Sequence, residues 1–281
     1  MFTINYKEKR CRLSILKEKK NEYFDLNIFF DESGKRANRP NLMGGLSIPS
    51  PLYNSDKFQT WCQKLRDNEV KFHWVGFTGD FRIKTNIADV MQLLSSHGSM
   101  LKFNVINYDY SILSTSTSSR KDISQVVYSK FPERLIYGLL RGYAKNLSID
   151  ANIFIEEATE YRDIKLHETI KEQLNVQSIY RGEQFKIIGS CLLPKGQEIG
   201  LELTDLLLGF VRTIILNEND TKSKSVAAKN TLIIELLKNP DFFSFLSNIR
   251  LFEWTRTREL NETDFNNYLQ IYLSTHHSKY V

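Results

Sequence analysis

Three apolar segments of this chain end in carboxylates or carry them, and no other feature limits the possible folds as much. The first is Asn27-Ile28-Phe29-Phe30-Asp31-Glu32-Ser33-Gly34, an apolar run closed by two acids and a turn signal. Such a run reads as a buried strand. The second, Asn152-Ile153-Phe154-Ile155-Glu156-Glu157, repeats the pattern. The third, Gly200 to Gly209, reads as an apolar helix carrying Glu202 and Asp205 three residues apart. A carboxylate at the end of a central strand is costly to bury unless a positive group meets it. A helix that is apolar on nearly every face is itself buried, so its acids need partners too. The pattern predicts that Asp31, Glu156 and Asp205 converge in one open cleft. Glu32, Glu157 and Glu202 are secondary candidates, at least one of them facing the same cleft.

Periodicity and turn residues give the remaining elements. Further strands are expected over 42–48, 100–108 and 184–191, and helices over 55–65, 86–97, 124–147, 163–174 and 199–216. The Ser/Thr-rich stretch at 111–122 reads as a loop. If residues 52–98 are set aside as a helical insertion, three consecutive strands are followed by alternating helices and strands. That order implies an antiparallel three-strand meander extended by right-handed parallel crossovers. The predicted class is α/β, a mixed sheet flanked by helices over residues 24–216, similar in element order to the ribonuclease H-like fold. There the first strand is central and the fourth lies beside it, which brings the ends of both strands and the last helix to one edge. Residues 217–281 are expected to form a mostly helical C-terminal extension, with a possible strand at 249–254.

Residues 1–23 read as a basic N-terminal extension. Within 1–20, seven lysines and arginines face only Glu8 and Glu18, which accounts for the whole net charge of +5. An arm of this kind can contact nucleic-acid phosphates or simply be solvated. No apolar run approaches the length of a bilayer span, and the start lacks the apolar core of a signal peptide. A cytoplasmic protein with no membrane partner is the expectation. Cys11, Cys62 and Cys191 are too scattered for a disulfide framework or a zinc site. There is no phosphate-binding P-loop, dinucleotide-binding glycine pattern or Gly-x-Ser-x-Gly elbow.

Clustered carboxylates repel one another, so they require a cation or a shared proton, and one of them is expected to hold a raised pKa. Mg²⁺ or Mn²⁺ suits an all-oxygen set, and two such ions ~4 Å apart can activate water and stabilise the leaving oxygen of a phosphodiester. Within Glu69-Val70-Lys71-Phe72-His73-Trp74, Lys71 is a candidate to contact the scissile phosphate, or Glu69 a candidate further acid at the site; the plainer explanation is an exposed strand of alternating charge. His73, His97 and His167 have no metal-ligand spacing.

The chain resembles the family described as domain of unknown function 3800, a ribonuclease H-like group. The resemblance rests on Asp31-Glu32-Ser33-Gly34 after an apolar strand, on Glu69-Val70-Lys71, on Ile153-Phe154-Ile155-Glu156-Glu157, and on Leu201-Glu202-Leu203-Thr204-Asp205-Leu206-Leu207-Leu208-Gly209. It covers about residues 24–216. The chain departs from the pattern at Glu202, where glutamine is usual, and at Glu156, where aspartate is common. Both departures keep or add an oxygen ligand. The resemblance implies a Mg²⁺- or Mn²⁺-dependent nuclease, of a kind often encoded near mobile elements or in phage-defence neighbourhoods. The alternatives are a non-catalytic nucleic-acid-binding or assembly subunit that retains the fold, and a hydrolase of small phosphate esters.

Overall fold

The computed structural model describes residues 23–34, 39–109, 111, 120–143, 147–220, 222–254 and 259–280. The basic residues of 1–22, Lys35 and Arg36, and most of the Ser/Thr-rich loop lie outside the described residues. The chain forms a seven-stranded mixed sheet with helices on both faces. Its strands are β1 (Phe24–Ser33), β2 (Asn41–Pro49), β3 (Lys102–Tyr108), β4 (Ile149–Glu156), β5 (Phe185–Leu193), β6 (Arg250–Trp254) and β7 (Leu260–Thr263). The spatial order is β5-β4-β1-β2-β3-β6-β7. As expected, β1, β2 and β3 form an antiparallel meander, and β4 and β5 add in parallel beside β1.

The helices are α1 (Ser50–Tyr53), α2 (Asp56–Arg66), α3 (Phe81–Ser95), α4 (Arg120–Gln125), α5 (Phe131–Arg141), α6 (Thr159–Asp163), α7 (Leu166–Arg181), α8 (Ile199–Leu216), α9 (Lys224–Leu237), α10 (Pro240–Ser247), α11 (Phe265–Thr275) and α12 (His277–Tyr280). A π-helical turn, Val126–Lys130, joins α4 to α5. Alternation along the strands divides the apolar side chains between two cores. Leu26, Ile28 and Phe30 of β1 and Ile149, Ala151, Ile153 and Ile155 of β4 pack with α5 and α7. Phe29, Leu42, Leu46 and Val105 pack on the other face with α2, α3 and α8 to α11.

Two findings differ from the sequence reading. Glu69 to Trp74 is irregular and joins no sheet. The C-terminal segment is no appendage: β6 pairs in parallel with β3, and β7 pairs antiparallel with β6. Leu251, Phe242 and Leu269 sit in the same core as Phe29. Periodicity announces a strand at 249–254, but it cannot name the partner strand.

The meander brings α8 down onto β1 and β2. Residue 44, which pairs with Asp31, is a glycine. A Cβ there would stand 2.8 Å from Leu208 of α8. The missing side chain lets the helix approach the sheet closely, beside Asp31.

Candidate functional site

β1 and β4 run in parallel with Phe29 opposite Phe154 and Phe30 opposite Ile155. The Phe29 and Phe154 rings stack with centroids 5.1 Å apart, on the α8 side of the sheet. Continuing this register by one residue places Asp31 beside Glu156 at the ends of the two strands. Two residues beyond Phe29 and Phe154, these acids return to the same face. α8 crosses that face, and its first turns are buried throughout except at Asp205, which is partly exposed. Asp31, Glu156 and Asp205 thus line one cleft of about 430 Å³, together with Glu32, Ser33, Glu157, Tyr161, Lys195 and Arg212. The three principal acids of the sequence reading share one site. A larger cavity of about 540 Å³, beside Lys102 and Arg250, lies at the start of β3 and β6 and contains none of these acids.

Asp31 is 6% exposed and accepts the backbone N–H of Glu32 at 2.7 Å. Its pKa is raised well above the ordinary carboxylate value, first by burial and then by the charges of Glu156 and Asp205. The expectation that crowding raises one acid therefore holds for Asp31, although desolvation is the larger cause.

The positive group that meets these acids is Lys195. Its ammonium donates to Asp205 Oδ2 at 3.0 Å and stands 3.9 Å from Glu156 Oε1. Partial burial works against its charge, but Asp205 and Glu156 outweigh this and raise its pKa. Lys71 does not fill the cationic role foreseen for it: it is exposed and does not line the cleft. Lys195 lies in a Pro-Lys-Gly-Gln turn, where a lysine gives no sequence signal beyond an ordinary solvated turn. The only hint was the demand of buried acids for a positive partner.

The secondary acids separate. Glu32 and Glu157 line the cleft, with Glu157 3.4 Å from Arg162. Glu202 does not line it: it is 4% exposed and accepts the Gly196 N–H at 3.0 Å. Burial, chiefly, pushes its pKa up to about 7. Its position holds the turn that carries Lys195, which is a different task from the ligand role expected of it.

Tyr161 and Arg212 also escaped the sequence reading. Tyr161 is 1% exposed, and its hydroxyl has no hydrogen-bond partner among the described residues. Burial raises its pKa, and the charges of Glu32 and Asp31 raise it further. Arg212, two turns beyond Asp205 on α8, donates to the Arg39 carbonyl at 2.9 Å.

The chemistry of the donor set fits a hard divalent cation. Asp31, Glu156 and Asp205 offer only carboxylate oxygens, they repel one another, and they open onto a cleft. In arrangement, no group of three or more His, Cys, Asp and Glu among the described residues is gathered to hold a metal ion. The Lys195 ammonium already pairs with Asp205 and stands near Glu156, one positive charge against two carboxylates. No helix among the described residues is long and apolar enough to cross a membrane. No protein-family model, curated protein or solved structure matches this chain.

Proposed function

We propose that this protein is a Mg²⁺- or Mn²⁺-dependent nuclease with a ribonuclease H-like catalytic arrangement, as its resemblance to the domain of unknown function 3800 family implies. One observation carries the reading: the Asp31–Glu156 pair at two parallel strand ends and Asp205 on the crossing helix line a single open cleft. These three carboxylates would hold the metal, which when bound supplies an activated water and neutralises charge on a phosphodiester. The chain contributes the rest. The Glu32 N–H fixes Asp31. α8, seated against Gly44, sets Asp205 opposite the strand ends. Lys195 and Arg212 bring positive charge to the cleft wall, where a phosphate backbone would lie. Lys195, 3.0 Å from Asp205 Oδ2, would compete with a bound metal for that oxygen.

The ion pairs of Lys195 with Asp205 and Glu156 favour a second reading. In it the chain is a non-catalytic nucleic-acid-binding or assembly subunit in which that lysine, rather than a metal, is the counter-ion of Asp205 and Glu156. One assay separates the two. The purified chain is incubated with labelled single- and double-stranded RNA and DNA, and with a short phosphodiester, in Mg²⁺, Mn²⁺ or EDTA. Metal-dependent cleavage of the polymers that disappears in Asp205→Asn supports the nuclease. Retention of the polymers without cleavage selects the binding subunit, and cleavage of the short ester alone selects a small-molecule hydrolase.

A further inference from the structure

The Lys195 turn is built. Its backbone is fastened on the α8 side by the Gly196 N–H to Glu202. On the other side Arg66 of α2 donates to the Gln197 carbonyl at 3.1 Å and to Glu198 Oε1 at 3.0 Å. Glu198 is held in turn by the Tyr53 hydroxyl at 2.7 Å. Gly196 takes φ +81°, a conformation that side chains rarely adopt, and so allows the sharp entry into α8. These fastenings aim the stem of Lys195 at the acids. The side chain itself is 49% exposed, so its flexible stem can swing into solvent while the turn stays in place.

We infer that Lys195 is a tethered counter-ion that competes with the divalent cation for Asp205 and Glu156. The ammonium lies on Asp205 Oδ2 and near Glu156 Oε1, so a divalent ion drawn to those oxygens competes with it, and Lys195 sets the metal affinity of the site. The inference rests on the metal-site reading above and adds to it a residue that determines metal affinity without ligating metal. A fixed positive charge within hydrogen-bond distance of a metal ligand disfavours a second cation there by direct repulsion, and it also occupies the oxygen that would bind. A mobile lysine stem makes this a competition, whereas an immobile cation would exclude the metal outright.

The test is Mn²⁺ binding, read from the electron paramagnetic resonance signal of free Mn²⁺, to the full chain at neutral pH. Wild type, Lys195→Gln, Lys195→Met, Asp205→Asn and the Lys195→Gln/Asp205→Asn double variant are compared, with circular dichroism confirming the fold of each. Both Lys195 variants are expected to bind Mn²⁺ about tenfold more tightly than wild type, the equivalent of about 1.4 kcal/mol. Asp205→Asn is expected to bind more weakly. The gain from Lys195→Gln should shrink in the Asp205→Asn background, because the oxygen for which the two cations compete has been replaced. Equal or weaker binding by the Lys195 variants, with Asp205→Asn still impaired, overturns the inference and leaves the metal site standing. No Mn²⁺ binding by any form overturns the metal site and the inference with it.

Discussion

Glu202→Gln separates a loop anchor from a metal ligand, and its size can be worked out in advance. Glu202 is 4% exposed, and one oxygen accepts the Gly196 N–H. Its pKa stands at about 7 against an ordinary value of 4.5. The folded carboxyl therefore keeps a proton that the unfolded chain has already released between those values. Stability contributed by this group is fully present below pH ~4.5, falls as the pH rises, and levels off above about 7. At about 1.36 kcal/mol for each pH unit of the gap, the ionised side chain costs the fold about 3 kcal/mol at pH ~8. Glutamine keeps the shape and the acceptor for Gly196 but cannot ionise. The variant should match wild type near pH ~4.5 and exceed it by about 2–3 kcal/mol at pH ~8. Urea unfolding at steps between those pH values, with an unchanged denaturant slope, measures the difference. Taking variant minus wild type removes the titration of the other carboxylates. A difference that does not vary with pH, or a wild type more stable at the alkaline end, would refute the argument and mean that Lys195 keeps Glu202 ionised. Mn²⁺ binding should survive the substitution, and its loss would return Glu202 to the ligand set.

Asp205→Asn should lower metal-dependent cleavage at least about hundredfold in a gel-based assay. It should change metal-free stability by no more than about 1 kcal/mol, because the Lys195 pair it removes is half-exposed. Tyr161→Phe deletes a buried hydroxyl that has no partner among the described residues. Urea unfolding should find the variant as stable as wild type or up to about 1 kcal/mol more stable, and a clear loss would reveal a bond from that hydroxyl. Gly44→Ala places a methyl 2.8 Å from Leu208 and should cost about 1–3 kcal/mol by the same measurement. Because α8 must shift beside Asp31, Mn²⁺ affinity should fall as well. Unchanged stability would mean that Leu208 moves aside without the helix.

The site was legible in the sequence where alternation and burial speak directly. Apolar runs ending at Asp31 and Glu156 announced two strand ends, and the all-round apolar character of α8 marked both its limits, Ile199 and Leu216, and the demand of Asp205 for a partner. What answers that demand was not legible. Lys195 reaches the acids because the turn after β5 is fastened by Arg66 and Glu202, two contacts that no local pattern encodes. Glu202 and Asp205 lie three residues apart on one apolar helix and both read as candidate ligands, yet the one accepts a backbone N–H beneath the turn while the other faces the cleft. Pairing at the far edge of the sheet was hidden for a related reason: the partner of β6 is β3, far earlier in the chain.

That distant pairing bears on how the molecule forms during synthesis. Every residue lining the acidic cleft, up to Arg212, precedes Arg250 in the chain. While the chain is being made, β1 to β5 and α8 can therefore come together before the residues of β6 exist. Through that interval the outer edge of β3 has no neighbour, and its unpaired backbone groups are open to any other extended chain. Completion of the sheet at residues 250–263 closes that edge with β6 and β7. The C-terminal strands thus cover the β3 edge only once they have been made, on the flank of the sheet opposite β4 and β5, and the incomplete chain is the form exposed to wrong pairing.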